Sequence, residues 1–167
     1  MNKALAASGI FIIFVLFGGT WVWLIRYLNP GLTSSIAIVA LGICLVAIFI
    51  WLLTTRLREI LAGTDHLGRS AFVIAVDLLL LLLAFAASYQ ELGLIDNSIA
   101  SKPTVHEFGT SLYHSIATFT TLGYGDYFPT GVGRILAAME ALTGYVILGI
   151  VASTSVSILS SKSDRES

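Results

Sequence analysis

The chain has 167 residues, 56% of them hydrophobic and only 11% charged, with a formal net charge of −1. Soluble domains carry about 25% charged residues, so the composition excludes an ordinary water-soluble domain and reads as a membrane protein. The near-neutral balance offers no basic surface for nucleic acid, and the single cysteine, Cys44, excludes an intrachain disulfide and reads as a small buried apolar residue.

A helix needs roughly 20 apolar residues to cross a bilayer. Four runs meet that length, at about 8–28, 34–55, 71–89 and 134–159. The first carries Trp21, Trp23 and Tyr27, an interfacial aromatic belt. It follows only a weak basic region at Lys3 and lacks a small-x-small cleavage site, so it reads as a retained span and not a signal peptide. Gly18 and Gly19 either admit a neighbouring helix or kink this one. The turn "NPG" at 29–31 joins the first two runs into an antiparallel hairpin.

Residues 54–70, "TTRLREILAGTDHLGRS", form the one sizeable polar linker, whose "TRLREIL" part reads as a continuation of the second helix along the interface. His66 within it is read as a solvated surface residue. The organisation expected is a peripheral hairpin over 1–62, a cytoplasmic linker over 63–70, a second helical unit over 71–160 and a short tail over 161–167.

The third run holds an intramembrane acid, Asp77, expected to pair with Arg69 or Arg58 by snorkelling; a gating or proton-sensing role is the alternative. Residues 90–108, with Pro103, read as an irregular loop whose Glu91, Asp96 and Glu107 outnumber Lys102. Such a loop is either a mildly acidic mouth or simply solvated. "GTSLYHSIATFTT", residues 109–121, is helix-compatible but too short to span, so a re-entrant half-helix is expected.

"TTLGYGD", residues 120–126, follows at once. Irregular backbone at membrane depth is tolerated only when it is buried in protein or lines a water path. Gly123 and Gly125 adopt positive φ at little cost. Alternating them with Leu122 and Tyr124 turns successive carbonyls toward one axis, where a carbonyl ring replaces a cation's hydration shell.

In the fourth run Glu140 lies about seven residues from the start, roughly 10 Å along the helix, at the depth of the half-helix. A bare carboxylate there is costly. Two readings stay open: Glu140 takes a hydrogen bond from His114, Ser115 or Thr118 and supports the loop, or it faces a lateral water pocket and aids assembly. No run carries arginine at every third position, so no voltage sensor is expected. No repeat, phosphate-cradling loop, metal-ligand cluster or nucleophile–base pair is visible, so an enzyme is not expected.

Lysine and arginine set the orientation. With the N-terminus inside, Lys3, Arg56, Arg58, Arg69, Lys162 and Arg165 lie inside, against Arg26, Lys102 and Arg134 outside. The expectation is a multi-pass protein of the plasma or inner membrane with both termini cytoplasmic.

Residues 111–149 resemble the pore module of potassium channels: "TTLGYGD" is similar to that family's TTVGYGD, followed by "YFP", "GR" and a mid-helix glycine, Gly144. The helix–loop–half-helix pattern extends the likeness to about 70–160, while the first two runs show no specific match. The resemblance implies a small four-helix member of prokaryotic type. Its fold would be all-α, with four transmembrane helices, a re-entrant pore helix and a selectivity-filter loop per subunit, in a homotetramer. Residues 71–160 would then be the pore module.

By position, Thr121, Leu122, Gly123 and Tyr124 would supply the potassium-coordinating carbonyls, with the Thr121 hydroxyl innermost and the Leu122 and Tyr124 side chains packed against the pore helix. Gly125, Asp126, Tyr113 and Glu140 would support the filter, with a Tyr113 hydroxyl bond to Asp126. Ala117 stands where some members carry a pore-helix glutamate, and Glu140 would replace that acid from the inner helix. Gly144, Tyr145, Leu148, Gly149, Ala152 and Val156 would line the cavity and gate, with Gly144 and Gly149 as pivots or as close-packing positions. The function implied is passive, potassium-selective conduction, with potassium as permeant ion and no cofactor. The alternatives are a weakly selective monovalent cation channel, because Leu122 replaces valine, and a non-conducting scaffold or accessory subunit. Partners implied are other copies of the chain and the bilayer; a regulator and the gating stimulus are not legible.

Overall fold

The computed structural model describes residues 9, 11–16, 18–20, 24, 27, 32–61 and 67–166. His66, Trp21, Trp23 and the "NPG" turn lie outside the described residues. A short apolar helical stretch, Phe11–Thr20, comes first. Two long helices follow, α1 (Leu32–Leu61) and α2 (Leu67–Leu92). Short strands β1 (Leu94–Asp96) and β2 (Thr104–Val105) lead to a 12-residue helix, α3 (Phe108–Phe119). Strand β3 (Tyr127–Pro129) and a 34-residue helix, α4 (Gly133–Glu166), complete the chain.

Among the described residues, three stretches are long and apolar enough to cross a membrane: Ser35–Ile60, Gly68–Leu92 and Gly133–Ser153. The expected second, third and fourth spans are therefore helical, each longer than the hydropathy alone marks. The charged "TRLREIL" segment does continue α1, with Arg58 in the last turn, where a cation suits the carbonyl end of the helix dipole. The residues expected to form a short tail belong to α4 as far as Glu166.

One face of each helix is buried. On α1 it is Ile38, Gly42, Leu45, Phe49, Leu52 and Arg56, spaced three and four apart along one stripe. On α2 it is Asp77, Leu81, Phe85 and Tyr89, and on α4 Leu136, Glu140, Thr143, Gly144 and Ile147. Lipid tails are as apolar as leucine, so tight packing and not hydrophobic transfer holds such helices together. Gly42 shows this: a Cβ there would stand 2.6 Å from Leu136 Cδ1, so the missing side chain lets α1 close on α4. Cys44, expected to be buried, is exposed on the opposite face of α1.

Among the described residues Asp77 and Arg56 are buried, while Arg58 and Arg69 are exposed. The segment between α2 and α3 is not irregular throughout. β1 is the centre of a three-stranded antiparallel sheet ordered β2-β1-β3, with Leu94 opposite Val105 and Pro129. Its entry needs Gly93 at φ +81°, where a Cβ would meet Thr104 and His106 side chains at 2.6–2.7 Å. Asp96 is buried and accepts the backbone N–H and hydroxyl of Ser98, so it caps a turn.

Candidate functional site

The half-helix α3 is about 18 Å long, too short to cross a hydrocarbon core of about 30 Å. Glu107 precedes it in extended conformation and accepts the Thr110 hydroxyl and the Ser111 amide. At its far end the Thr120 amide returns to Ile116 O, and the chain then leaves the helix. Both the Leu122 and Gly123 amides donate to Ala117 O, at 2.8 and 3.2 Å. The irregular loop is thus tied by its N–H groups to the last turn of α3.

Beyond that tie the backbone alternates. Thr121, Gly123 and Gly125 have φ of +58°, +55° and +75°, with no positive φ at Leu122 or Tyr124. Thr121 has a Cβ and pays for the left-handed region by roughly 1–2 kcal/mol. Strain of this kind concentrates at functional sites. Among the described residues, no hydrogen bond uses the carbonyls of residues 121–124. The loop's exit, by contrast, is pinned. Asn97 donates to it twice, from its backbone N–H to Asp126 O at 2.7 Å and from Nδ2 to Gly125 O at 3.3 Å. Pairing of β3 with β1 continues that seam. Sequence reasoning missed Asn97, whose only signal was its place in a loop of turn-forming residues.

The side chains around the loop fall into two groups. Tyr113, expected from the resemblance to bond Asp126, packs edge-on to Tyr127, the residue next to Asp126, with centroids 6.2 Å apart. The Asp126 carboxylate accepts the Tyr127 amide at 3.0 Å. Leu122 and Tyr124, however, are 57% and 69% exposed, so within one chain they do not pack against α3 as expected.

The second group lies behind the half-helix. Glu140 is wholly buried, and both its oxygens are engaged. Ser115 Oγ is 2.6 Å from Oε1, and the Tyr89 hydroxyl donates to Oε2 at 2.7 Å. Of the three expected donors only Ser115 makes the contact. His114 instead packs edge-on against the Tyr89 ring, centroids 4.8 Å apart, and Thr118 lies 3.4 Å from His114 Nε2. Tyr89 was not foreseen: it is 51 residues from Glu140 in sequence, and nothing local marks it.

Of the expected cavity residues on α4, Tyr145, Leu148, Gly149, Ala152 and Val156 share an exposed, mostly apolar face. Gly144 does not join them. It is buried, and a Cβ there would stand 1.9 Å from Phe119 O and 2.8 Å from Phe119 C. Among the described residues no group of three or more histidine, cysteine or acidic side chains is arranged to hold a metal ion.

A half-helix that stops midway, a strained carbonyl-bearing loop at its end and long apolar helices on either side define a membrane channel. The family model described as "Ion channel" matches residues 77–161, and the chain belongs to that family. It is similar to the protein named LctB of Bacillus caldotenax, 35% identical over 94 residues that cover 52% of this chain and 70% of that protein. It is also similar to LctB of Geobacillus stearothermophilus, 44% identical over 46 residues, 28% of this chain and 34% of that protein. No solved structure matches. The matched region runs from the middle of α2 through α3 and the loop into α4, and so contains the whole site.

Proposed function

We propose that the protein is a potassium-selective channel in which four copies bring residues 121–124 around one axis. The observation that carries the reading is the alternation of positive φ at Thr121, Gly123 and Gly125, with carbonyls that take no internal hydrogen bond. Unpaired carbonyls at membrane depth are costly unless something solvates them, and a dehydrated cation does so. One chain supplies one strand, whereas a coordination cage needs several, which cyclic symmetry provides. The exposed side chains of Leu122 and Tyr124 fit the same reading: a neighbouring copy, and not the chain's own half-helix, would cover them. The C-terminal end of α3 would direct its partly negative pole at the central cavity and favour a cation there.

In this reading the stretch at Phe11–Thr20 belongs to a fourth span, residues 1–62 form a peripheral hairpin and 71–160 the pore module, with 63–70 and both termini cytoplasmic. The decisive experiment is the reversal potential of the purified protein in planar bilayers under opposed potassium and sodium gradients. A value near the potassium equilibrium potential is expected. A value near zero would establish a weakly selective cation channel, and absence of thallium flux in liposomes a non-conducting subunit.

A further inference from the structure

The helix α4 touches the half-helix α3 at two points, each one helical turn from the next. Glu140 meets Ser115, and Gly144 meets the backbone of Phe119. Residues 140 and 144 on one helix thus match 115 and 119 on the other, both pairs four apart and on one face. Tyr89 closes the third side by bonding Glu140 from α2. Two residues beyond Ser115 stands Ala117, whose carbonyl holds the Leu122 and Gly123 amides. The route from Glu140 to the loop is therefore continuous: a carboxyl, a serine, one helical turn and two backbone hydrogen bonds.

The hydrogens of this cluster are informative. Ser115 has one hydroxyl proton but two oxygens in reach, Leu82 O at 3.2 Å and Glu140 Oε1 at 2.6 Å. Leu82 O accepts only. If Glu140 were a carboxylate, both neighbours would compete for a single proton. A proton on Oε1 removes the competition: Glu140 donates to Ser115 Oγ, Ser115 donates to Leu82 O, and Tyr89 donates to Oε2. Every hydrogen then has an acceptor, and no bare charge is buried. Besides Glu140 and the Tyr89 phenol, the titratable His114 ring stands at this cluster, edge-on to Tyr89.

We propose that Glu140 is a positioning residue for the filter, held as a neutral acid between Ser115 and Tyr89, which locks α3 to α4 so that the outer half of α4 sets the filter's geometry. The proposal rests on the channel reading above, but part of its test does not.

Two measurements on the full-length protein decide it: the potassium-to-sodium permeability ratio in bilayers, and amide hydrogen exchange over residues 120–124. Glu140→Ala and Ser115→Ala are expected to speed exchange at the Leu122 and Gly123 amides by about tenfold or more, the usual scale for losing a buried hydrogen bond, and to lower the permeability ratio. Glu140→Gln should retain both wild-type values, because its amide nitrogen donates to Ser115 Oγ and its oxygen accepts from Tyr89. Should Glu140→Ala fail to assemble, Ser115→Ala, which removes only a hydroxyl, decides alone. Wild-type exchange and selectivity in Ser115→Ala would overturn the lock. Glu140→Gln as damaging as Glu140→Ala would overturn the neutral acid. If the wild-type protein passes no cation, the channel reading fails, while the exchange comparison still decides whether Glu140 holds the loop.

Discussion

At the scale of single residues the loop depends on backbone freedom more than on contact. Gly123 sits at φ +55° with nothing within 4 Å of where a Cβ would stand, so alanine there meets no clash. Its cost is conformational, about 1–2 kcal/mol in each chain, and in the proposed tetramer four chains would incur it together. Gly123→Ala is therefore expected to abolish selective conduction while leaving the protein folded. A reversal potential unchanged from wild type would remove residues 121–124 as the filter. Tyr113 is expected to act through its hydroxyl. Tyr113→Phe removes the hydroxyl proposed to bond Asp126 but keeps the ring edge against Tyr127. The expected result is unchanged assembly with faster decay of current during sustained opening, because Asp126 loses one of the groups that hold it beside the filter. Currents that decay at the wild-type rate would assign the bond no part in holding the pore open.

Among the helices, the two glycines of α4 separate. Gly144 is occupied from outside: a Cβ would overlap the carbonyl of Phe119 at 1.9 Å, and backbone cannot swing aside as a side chain does. Gly149 has open space around it. Gly144→Ala should destabilise the protein by about 1–3 kcal/mol or more, as overpacking in a close-fitted interface does, and should displace the last turn of α3. Gly149→Ala should keep or slightly raise thermal stability, by a few degrees at most, since it only improves helix propensity by roughly 1 kcal/mol. If α4 bends, it bends at Gly149, since bending at Gly144 would carry α3 with it. Thermal unfolding of the two variants in detergent, read beside the open probability of Gly149→Ala, tests both statements. The opposite ranking of stabilities would refute the packing role of Gly144. The exposed face below it is tested separately: cysteines at Tyr145 and Ala152 should react with cytoplasmic thiol reagents when channels are open, and failure of both to react would mean this face does not line the path.

For the whole molecule, α1 matters because it touches both partners of the pore region. Gly42 brings it against Leu136 of α4 and Phe85 of α2. The fragment 63–167 would expose these residues to lipid and lose the close packing that stabilises helices in a bilayer. Its expected behaviour is reduced thermal stability with cation selectivity retained, since the backbone hydrogen bonds that tie residues 120–126 run to α3 and to Asn97. Loss of selectivity with normal stability would give the hairpin a part in conduction instead. The assembled particle is expected to have four times the 17.9 kDa mass of the chain by native mass spectrometry; a monomer that still conducts would overturn the shared filter.

What the sequence by itself determined is whatever depends on hydrophobicity and on local backbone chemistry. Runs of apolar residues marked three spanning helices to within a few residues, because length and polarity alone decide which segment can cross a bilayer. "TTLGYGD" marked the loop, because only glycine takes positive φ freely, and the half-helix before it was legible from its shortness. The tertiary structure alone decided which polar groups meet. Tyr89, Ser115 and Glu140 lie on three different helices, and Asn97 reaches the loop exit from just past β1, a strand no periodicity announced. It also decided between the two readings of Gly144, as a close-packing position against Phe119, and buried Arg56 while leaving Arg58 and Arg69 exposed. The physical reason is common to all of them. A near-uniformly apolar helix scarcely specifies its own rotation, so which face turns inward is set by the shapes of its neighbours, and only the packed whole contains that information.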